Sequence, residues 1–340
     1  MSAPQSQVQT PGRVPLRQSL RRRIADARLI EPRAEARSAA FTLQRAMQIA
    51  LGLMWLADGL LQFQPYFFNK TFATGVIDPN AAGQPAFVAH AITYIANSIV
   101  APHVILFNGF AAVLEVAIGL GLLYGRTVRL ALLVSIPWAL NIWFTGEGFG
   151  GLLTGNASPL ASAPGQAVLY ALIALLVWPR VGASSDGPPE NAASLGLLGS
   201  RTVRVVWAVL WFGLAALWLI PANLTAGAFH DAIAAAPTGA AWLTSLENSA
   251  AKAVAGDGVG LSIAFAAVYV AIGAAVALDW HPRPFLVTAI VISLALWLFT
   301  EGLGGVFTGQ ATDIDAGPVF ILLAALLWPL RTRTDARVRA

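Results

Sequence analysis

Two short stretches hold the residue types that could do chemistry in this chain. Trp143 opens WFTGEGFGGLLTGNAS and Trp297 opens WLFTEGLGGVFTGQAT. Each sets one glutamate (Glu147, Glu301) in a glycine run and a threonine (Thr154, Thr308) seven residues later. Glycine permits positive φ and close backbone approach, so these loops can present amides and carbonyls beside a carboxylate, a set suited to a cation, a proton or a polar head group. The alternative reading is structural. The glycines let a loop dip into an interface, the glutamate caps a helix N-terminus, and Trp143 and Trp297 join an interfacial aromatic belt. The run Gly146 to Gly151 lacks the strand and the lysine of a phosphate-binding loop.

A second pair of acids, Asp58 and Glu115, falls inside apolar runs long enough to cross a bilayer, where ionisable groups are costly and therefore functional candidates. At 1.5 Å per residue, Glu115 lies about 16 Å beyond Val104, near mid-bilayer, and Asn108 shares its helix face. Asp58 lies nearer the opposite end of its span, with Gln62 one turn on. These acids suit proton transfer or a hydrogen bond to a carbonyl ligand such as a quinone. As purely structural groups they would be protonated acids satisfied by Asn108, Asn141 or a backbone carbonyl.

The elements that must position these residues are apolar helices. Of 340 residues, 57% are hydrophobic and 11% charged, against a soluble norm of about 25% charged. The expected fold is an all-α membrane protein of eight transmembrane helices. The spans read as Met47 to Phe63, Val104 to Tyr124, Val128 to Phe144, Gln166 to Trp178, Val203 to Ile220, Val259 to Ala277, Phe285 to Phe299 and Val319 to Leu330. The long connections Asn69 to Pro102 and Asn223 to Asp257 carry apolar runs, Phe87 to Ile99 and Phe229 to Ala235, that predict short helices lying over the bundle.

All nineteen arginines fall at alternate connections and the two tails, which predicts cytoplasmic N- and C-termini. The other side holds Lys70 and Lys252 against Asp78, Glu147, Asp231, Glu247, Asp257, Glu301, Asp313 and Asp315, an acidic face able to concentrate cations. Abundant arginine and alanine point to a GC-rich bacterial genome, and so to the cytoplasmic (inner) membrane of a bacterium.

The two glutamate motifs belong to an internal repeat at an offset of 154 residues, which continues upstream to pair Val116-Ala-Ile-Gly119 with Val270-Ala-Ile-Gly273. Downstream, after a four-residue deletion, the segment ending at Pro179 matches that ending at Pro329. The expected organisation is a basic cytoplasmic tail (1–44), a four-helix membrane repeat (45–180), a cytoplasmic linker (181–200), a second four-helix repeat (201–331) and a basic tail (332–340). An even span number per unit makes the repeats parallel, so both motifs face outward. Asp58 and Glu115 correspond to Leu214 and Tyr269, so only the first repeat keeps acids in the membrane.

No cysteine is present, so iron-sulfur clusters and c-type haem attachment by this chain are not expected, and no metal site is read from the sequence. The lipid bilayer is the expected partner, nucleic acid is not.

The first span, Arg45-x6-Gly52-Leu-Met-Trp55-Leu-Ala-Asp58-Gly59-Leu-Leu-Gln62-Phe-Gln-Pro65-x-Phe67, resembles the opening helix of DoxX-like membrane proteins. The resemblance implies a four-helix unit, here two of them fused, and association with membrane redox subunits and quinone. Gln62 stands where a basic residue is common in that family. Three function classes follow from the sequence: a quinone-interacting subunit of a membrane redox system with its site on the outer face, a transporter or channel for a small cation or solute, and a non-catalytic membrane assembly protein.

Overall fold

The computed structural model describes residues 16–179 and 190–330, with residues 16–37 described as backbone only. Residues 181–189 of the expected linker, the 332–340 tail, Arg13, Arg180 and the arginines from Arg331 onward lie outside the described residues, as do the side chains of the basic segment through Arg37.

Among the described residues every regular element is helical: α1 (Leu16–Leu61), α2 (Ala86–Tyr94), α3 (Val104–Leu123), α4 (Val128–Thr145), α5 (Gln166–Leu176), α6 (Gly199–Trp218), α7 (Ala228–Ala234), α8 (Ala241–Ala253), α9 (Gly258–Ala277), α10 (Pro282–Phe299) and α11 (Ala316–Leu326). Five helical runs among these residues are long and apolar enough to cross a membrane: Ala86–Leu123, Val128–Thr145, Gly199–Trp218, Gly258–Ala277 and Pro282–Phe299. The chain is a multi-pass helical membrane protein in this sense. Its apolar side chains lie outside as well as inside, with Leu106 76% and Val113 60% exposed along α3, as a helix facing lipid requires.

Three expected boundaries change. Helix α1 runs unbroken from Leu16 through the expected tail boundary at 44, because alanine, leucine, arginine and glutamine, all good helix formers, dominate the sequence on both sides of it. The last helix begins at Ala316, three residues before the expected Val319, because the Asp315 carboxylate accepts from the Ala316 amide and supplies an N-cap. The Phe87 to Ile99 run is not a separate lid: α2 continues through wide and tight turns (95–103) into α3.

The helices pack in chain order. Helix α1 lies on α3, α3 on α4 and α4 on α5, while α6 lies on α9, α9 on α10 and α10 on α11; the two sets meet where α11 packs against α5 and α1. The α1–α3 contact is made by small residues. A Cβ at Gly59 would sit 2.7 Å from the Val116 nitrogen, and one at Gly119 would sit 2.8 Å from the Gly52 oxygen. Such close approach gives dispersion contact without relying on hydrophobic burial, which lipid does not reward. It also fixes Asp58 and Glu115 on adjoining surfaces. At the arginine end, the Arg45 guanidinium donates to the carbonyls of Leu122 (2.9 Å) and Leu123 (2.6 Å), closing the C-terminus of α3.

Candidate functional site

Asp58 is 4% exposed and accepts from three donors: the Tyr170 hydroxyl (2.7 Å), Gln166 Nε2 (3.2 Å) and the Ile314 amide (3.1 Å). The first two come from α5, four residues apart on one helix face, and the third comes from the loop before α11. Glu115, 3% exposed on α3, accepts from the Trp138 indole of α4 at 3.1 Å through Oε1, and its Oε2 has no protein partner.

Glu147 follows α4 and turns back to cap α5, with Oε1 accepting from the Ala167 amide at 2.9 Å, while its Oε2 is sealed from solvent and unpartnered. Gly165, at φ 108°, lets the chain pass that carboxylate, since a Cβ there would lie 2.1 Å from Glu147 Oε2. Glu301 does the same for α11, accepting from the Gly317 amide at 2.9 Å, and it also accepts from Ser162 Oγ at 3.3 Å. The capping alternative therefore describes one oxygen of each glutamate.

The other candidates have defined places. Thr154 and Thr308 donate to the carbonyls of Gly151 and Gly305, each at 2.7 Å, and accept from the amides of Asn156 and Gln310, so both hydroxyls are used inside their own loops. Trp143 donates to the Pro164 carbonyl and Trp297 to the Ile314 carbonyl, at 2.7 and 2.8 Å, so each indole is a strut between its helix and the next loop. Asn108 does not satisfy either acid. It donates to the Gln62 carbonyl at 2.8 Å, because the last turn of α1 leaves that carbonyl unpaired, and thereby holds the exit from α1.

Asp58, Glu115 and Glu147 converge on a cavity of about 90 Å³, walled by Trp55, Trp138, Tyr170 and Phe107 and closed on one side by Asp313. Five polar atoms around it lack protein partners: Trp55 Nε1 as a donor, Gln62 Oε1 and Gln166 Oε1 as acceptors, and Glu115 Oε2 and Glu147 Oε2, each of which donates when it carries the carboxyl proton and accepts when ionised. A buried polar atom without a partner costs about 1–3 kcal/mol, so these atoms in one space call for a polar occupant. Above the cavity lies an open depression of about 570 Å³ between the two glutamate loops, with Asp313 and Asp315 in its wall. Glu147, Gln166, Thr312 and Asp313 line both spaces. The carboxyls are spread out: among the described residues no three of His, Cys, Asp or Glu gather about a common metal position.

Leu214 and Tyr269, which the sequence offset pairs with Asp58 and Glu115, line a space of only about 10 Å³. The Tyr269 ring packs on Trp211 (4.7 Å between centroids) and Trp218 (5.8 Å), so aromatic volume fills this region.

No family model, curated protein or solved structure matches this chain. Gln166, Tyr170, Trp138 and Asp313 are the site residues that sequence reasoning missed. Gln166 and Tyr170, two polar groups one turn apart in a short apolar helix, are a readable signal; the roles of Trp138 and Asp313 depend on helix crossings.

Burial pushes the Glu147 carboxyl from 4.5 up to about 8, opposed by the Ala167 amide. Burial also raises Asp315 to about 7, with Asp313 beside it, and raises Glu301, with Asp315 beside it. The folded state thus holds a Glu147 proton that the unfolded chain releases at 4.5. That stability is fully present below 4.5 and is lost as pH rises through about 8. Glu147→Gln is expected to match the parent near pH 4, at about the unfolded value, and to exceed it in melting midpoint near pH 9. Equal midpoints of variant and parent at the alkaline end would remove the buried-proton reading.

Proposed function

We propose that this chain is a DoxX-like, quinone-interacting subunit of a membrane redox system, built as two parallel four-span units in a bacterial cytoplasmic membrane. In this reading α1, α3, α4, α5, α6, α9, α10 and α11 are the eight spans, both termini are cytoplasmic and the glutamate loops lie on the outer face. The duplication is supported by bonds made at corresponding positions. Arg129 donates to the Pro179 carbonyl and Arg283 to the Pro329 carbonyl, each at 3.3 Å. Across the halves, Gln64 donates to the Ala311 carbonyl (3.4 Å) and Asn223 to the Ala157 carbonyl (2.9 Å).

The observation that carries the function is the first-half cavity, with aromatic walls and five unpartnered polar atoms. A quinol head group suits it: the ring packs against Trp55 and Trp138, and its two hydroxyls donate to acceptors such as Glu115 Oε2 and Gln62 Oε1. The lining includes no residue of α3 after Glu115 or of α4 before Trp138, so the cavity stops near the middle of these helices, which favours a one-ended binding site over a conduit for ions. Electrons would pass to or from a partner subunit.

Protein purified in mild detergent is expected to release quinone on organic extraction. A short-chain quinol should quench its tryptophan fluorescence saturably, with at least about 10-fold weaker binding after Glu115→Leu, the equivalent of about 1.4 kcal/mol. Absence of extractable quinone together with no saturable quenching would sink the reading.

A further inference from the structure

We propose that Glu147 and Asp313 form a one-sided port through which protons and small ammonium-type cations exchange between the glutamate-loop end of the protein and the first-half cavity. This rests on the cavity being a ligand site, but it concerns access to that site and not the identity of the occupant.

The wall shared by cavity and depression consists of four residues, Glu147, Gln166, Thr312 and Asp313, and two of these are acids. Each acid keeps a reason to face the shared wall. Glu147 uses one oxygen to cap α5 and leaves the other unpartnered, and Gln166, 4% exposed, likewise leaves Oε1 unpartnered. Asp313 is supplied by the second half. Its oxygens accept from Thr312 Oγ1 and the Asp315 amide, which holds the carboxyl at the edge of the first-half space. The duplicated chain thus completes the site of one unit with a loop of the other.

The titratable groups facing this wall are Asp58 from α1, Glu115 from α3, Tyr170 from α5 and Asp315 from the α11 loop, with Glu301 reaching it through Ser162. Neither space is lined by a lysine, arginine or histidine among the described residues. Once pH exceeds about 8 and Glu147 ionises, a mouth with acids and no opposing base concentrates cations and repels anions, by about 10-fold or more in favourable clefts. Toward the arginine end the lining includes no residue of α1 before Trp55, of α3 after Glu115, of α4 before Trp138 or of α5 after Tyr170, so the space stops near the middle of these helices. Exchange is therefore confined to one side.

The absence of cysteine makes the test direct. Single thiols are placed by Ala111→Cys in the cavity, Thr312→Cys in the shared wall, and Asn156→Cys and Arg126→Cys as exposed markers of the two ends. Vesicles of both orientations are treated at about pH 9, above the range in which Glu147 ionises, with membrane-impermeant methanethiosulfonates carrying either an ethyltrimethylammonium or an ethylsulfonate group. The Ala111→Cys and Thr312→Cys thiols are expected to react only where Asn156→Cys reacts, and about 10-fold faster with the ammonium reagent. Glu147→Gln with Asp313→Asn should erase that charge preference.

Reaction of the Ala111→Cys thiol from the Arg126 side overturns the proposal. So does failure of both inner thiols to react from the Asn156 side, or a charge preference that survives the double substitution. Loss of the quinol reading alone would leave these labelling results unchanged, whereas bound quinone without labelling from the Asn156 side would sink the port alone.

Discussion

Asp58→Leu is expected to destabilise the detergent-solubilised protein by about 3 kcal/mol or more, since each neutral donor left unpaired in the interior costs about 1–3 kcal/mol. The Tyr170 hydroxyl, the Gln166 amide and the Ile314 amide all lose their acceptor. The three donors come from two separate parts of the chain, so the loss loosens α5 and the α11 loop together. The second half shows how the chain tolerates leucine at this place: Leu214 is matched by Phe320 where the first half has Tyr170, so no hydroxyl is stranded. A double-mutant cycle follows. In a Tyr170→Phe background, Asp58→Leu should cost about 1–2 kcal/mol less than in the parent, because one buried donor is already gone. Chemical or thermal unfolding monitored by tryptophan fluorescence measures both terms. Strict additivity of the two substitutions would show that Tyr170 and Asp58 are not energetically coupled.

Gly165→Ala is expected to be comparably severe, for a steric reason. The residue lies at φ 108°, and the added methyl would fall 2.1 Å from Glu147 Oε2 and 3.0 Å from Trp143 Cδ1. With ψ 144° this is an extended, positive-φ conformation that is nearly glycine-only and costs another residue about 1–3 kcal/mol, and forcing Glu147 off the Ala167 amide removes an α5 cap worth about 1 kcal/mol. The carboxylate cannot swing freely, since it is held between the α5 start and the shared wall. A loss of about 2–4 kcal/mol follows, seen as a lowered melting midpoint and a smaller monodisperse fraction after extraction. Glu147→Gly in the same chain should restore only the steric part. Parent-like stability of Gly165→Ala would mean that the loop relaxes without disturbing the cap.

Much of the site is legible in the order of residues alone. Asp58 and Glu115 are legible because an acid within an apolar run is costly wherever the helix packs. Glu147 and Glu301 are legible because a carboxylate beside a glycine run, written twice, is a local pattern. The helix that each glutamate caps is not legible. Glu147 is twenty residues from its Ala167 partner in the chain, and only the return of the loop past Gly165 brings them together. The threonines illustrate the opposite error, since their spacing is regular but their hydroxyls close turns within each loop.

The sequence by itself determined that the chain is apolar and helical, that it writes a glutamate-glycine pattern twice, and that two acids, Asp58 and Glu115, fall inside apolar runs. These follow from hydropathy and spacing, which are properties of neighbouring residues. Only the tertiary structure decided that Asn108 holds the end of α1 and not an acid, that Asp58 is tied to Tyr170, Gln166 and the distant Ile314 amide, and that Asp313 of one half closes the cavity of the other. Those partnerships depend on where helices cross and which backbone groups their ends leave unpaired, and no local pattern in the chain encodes either.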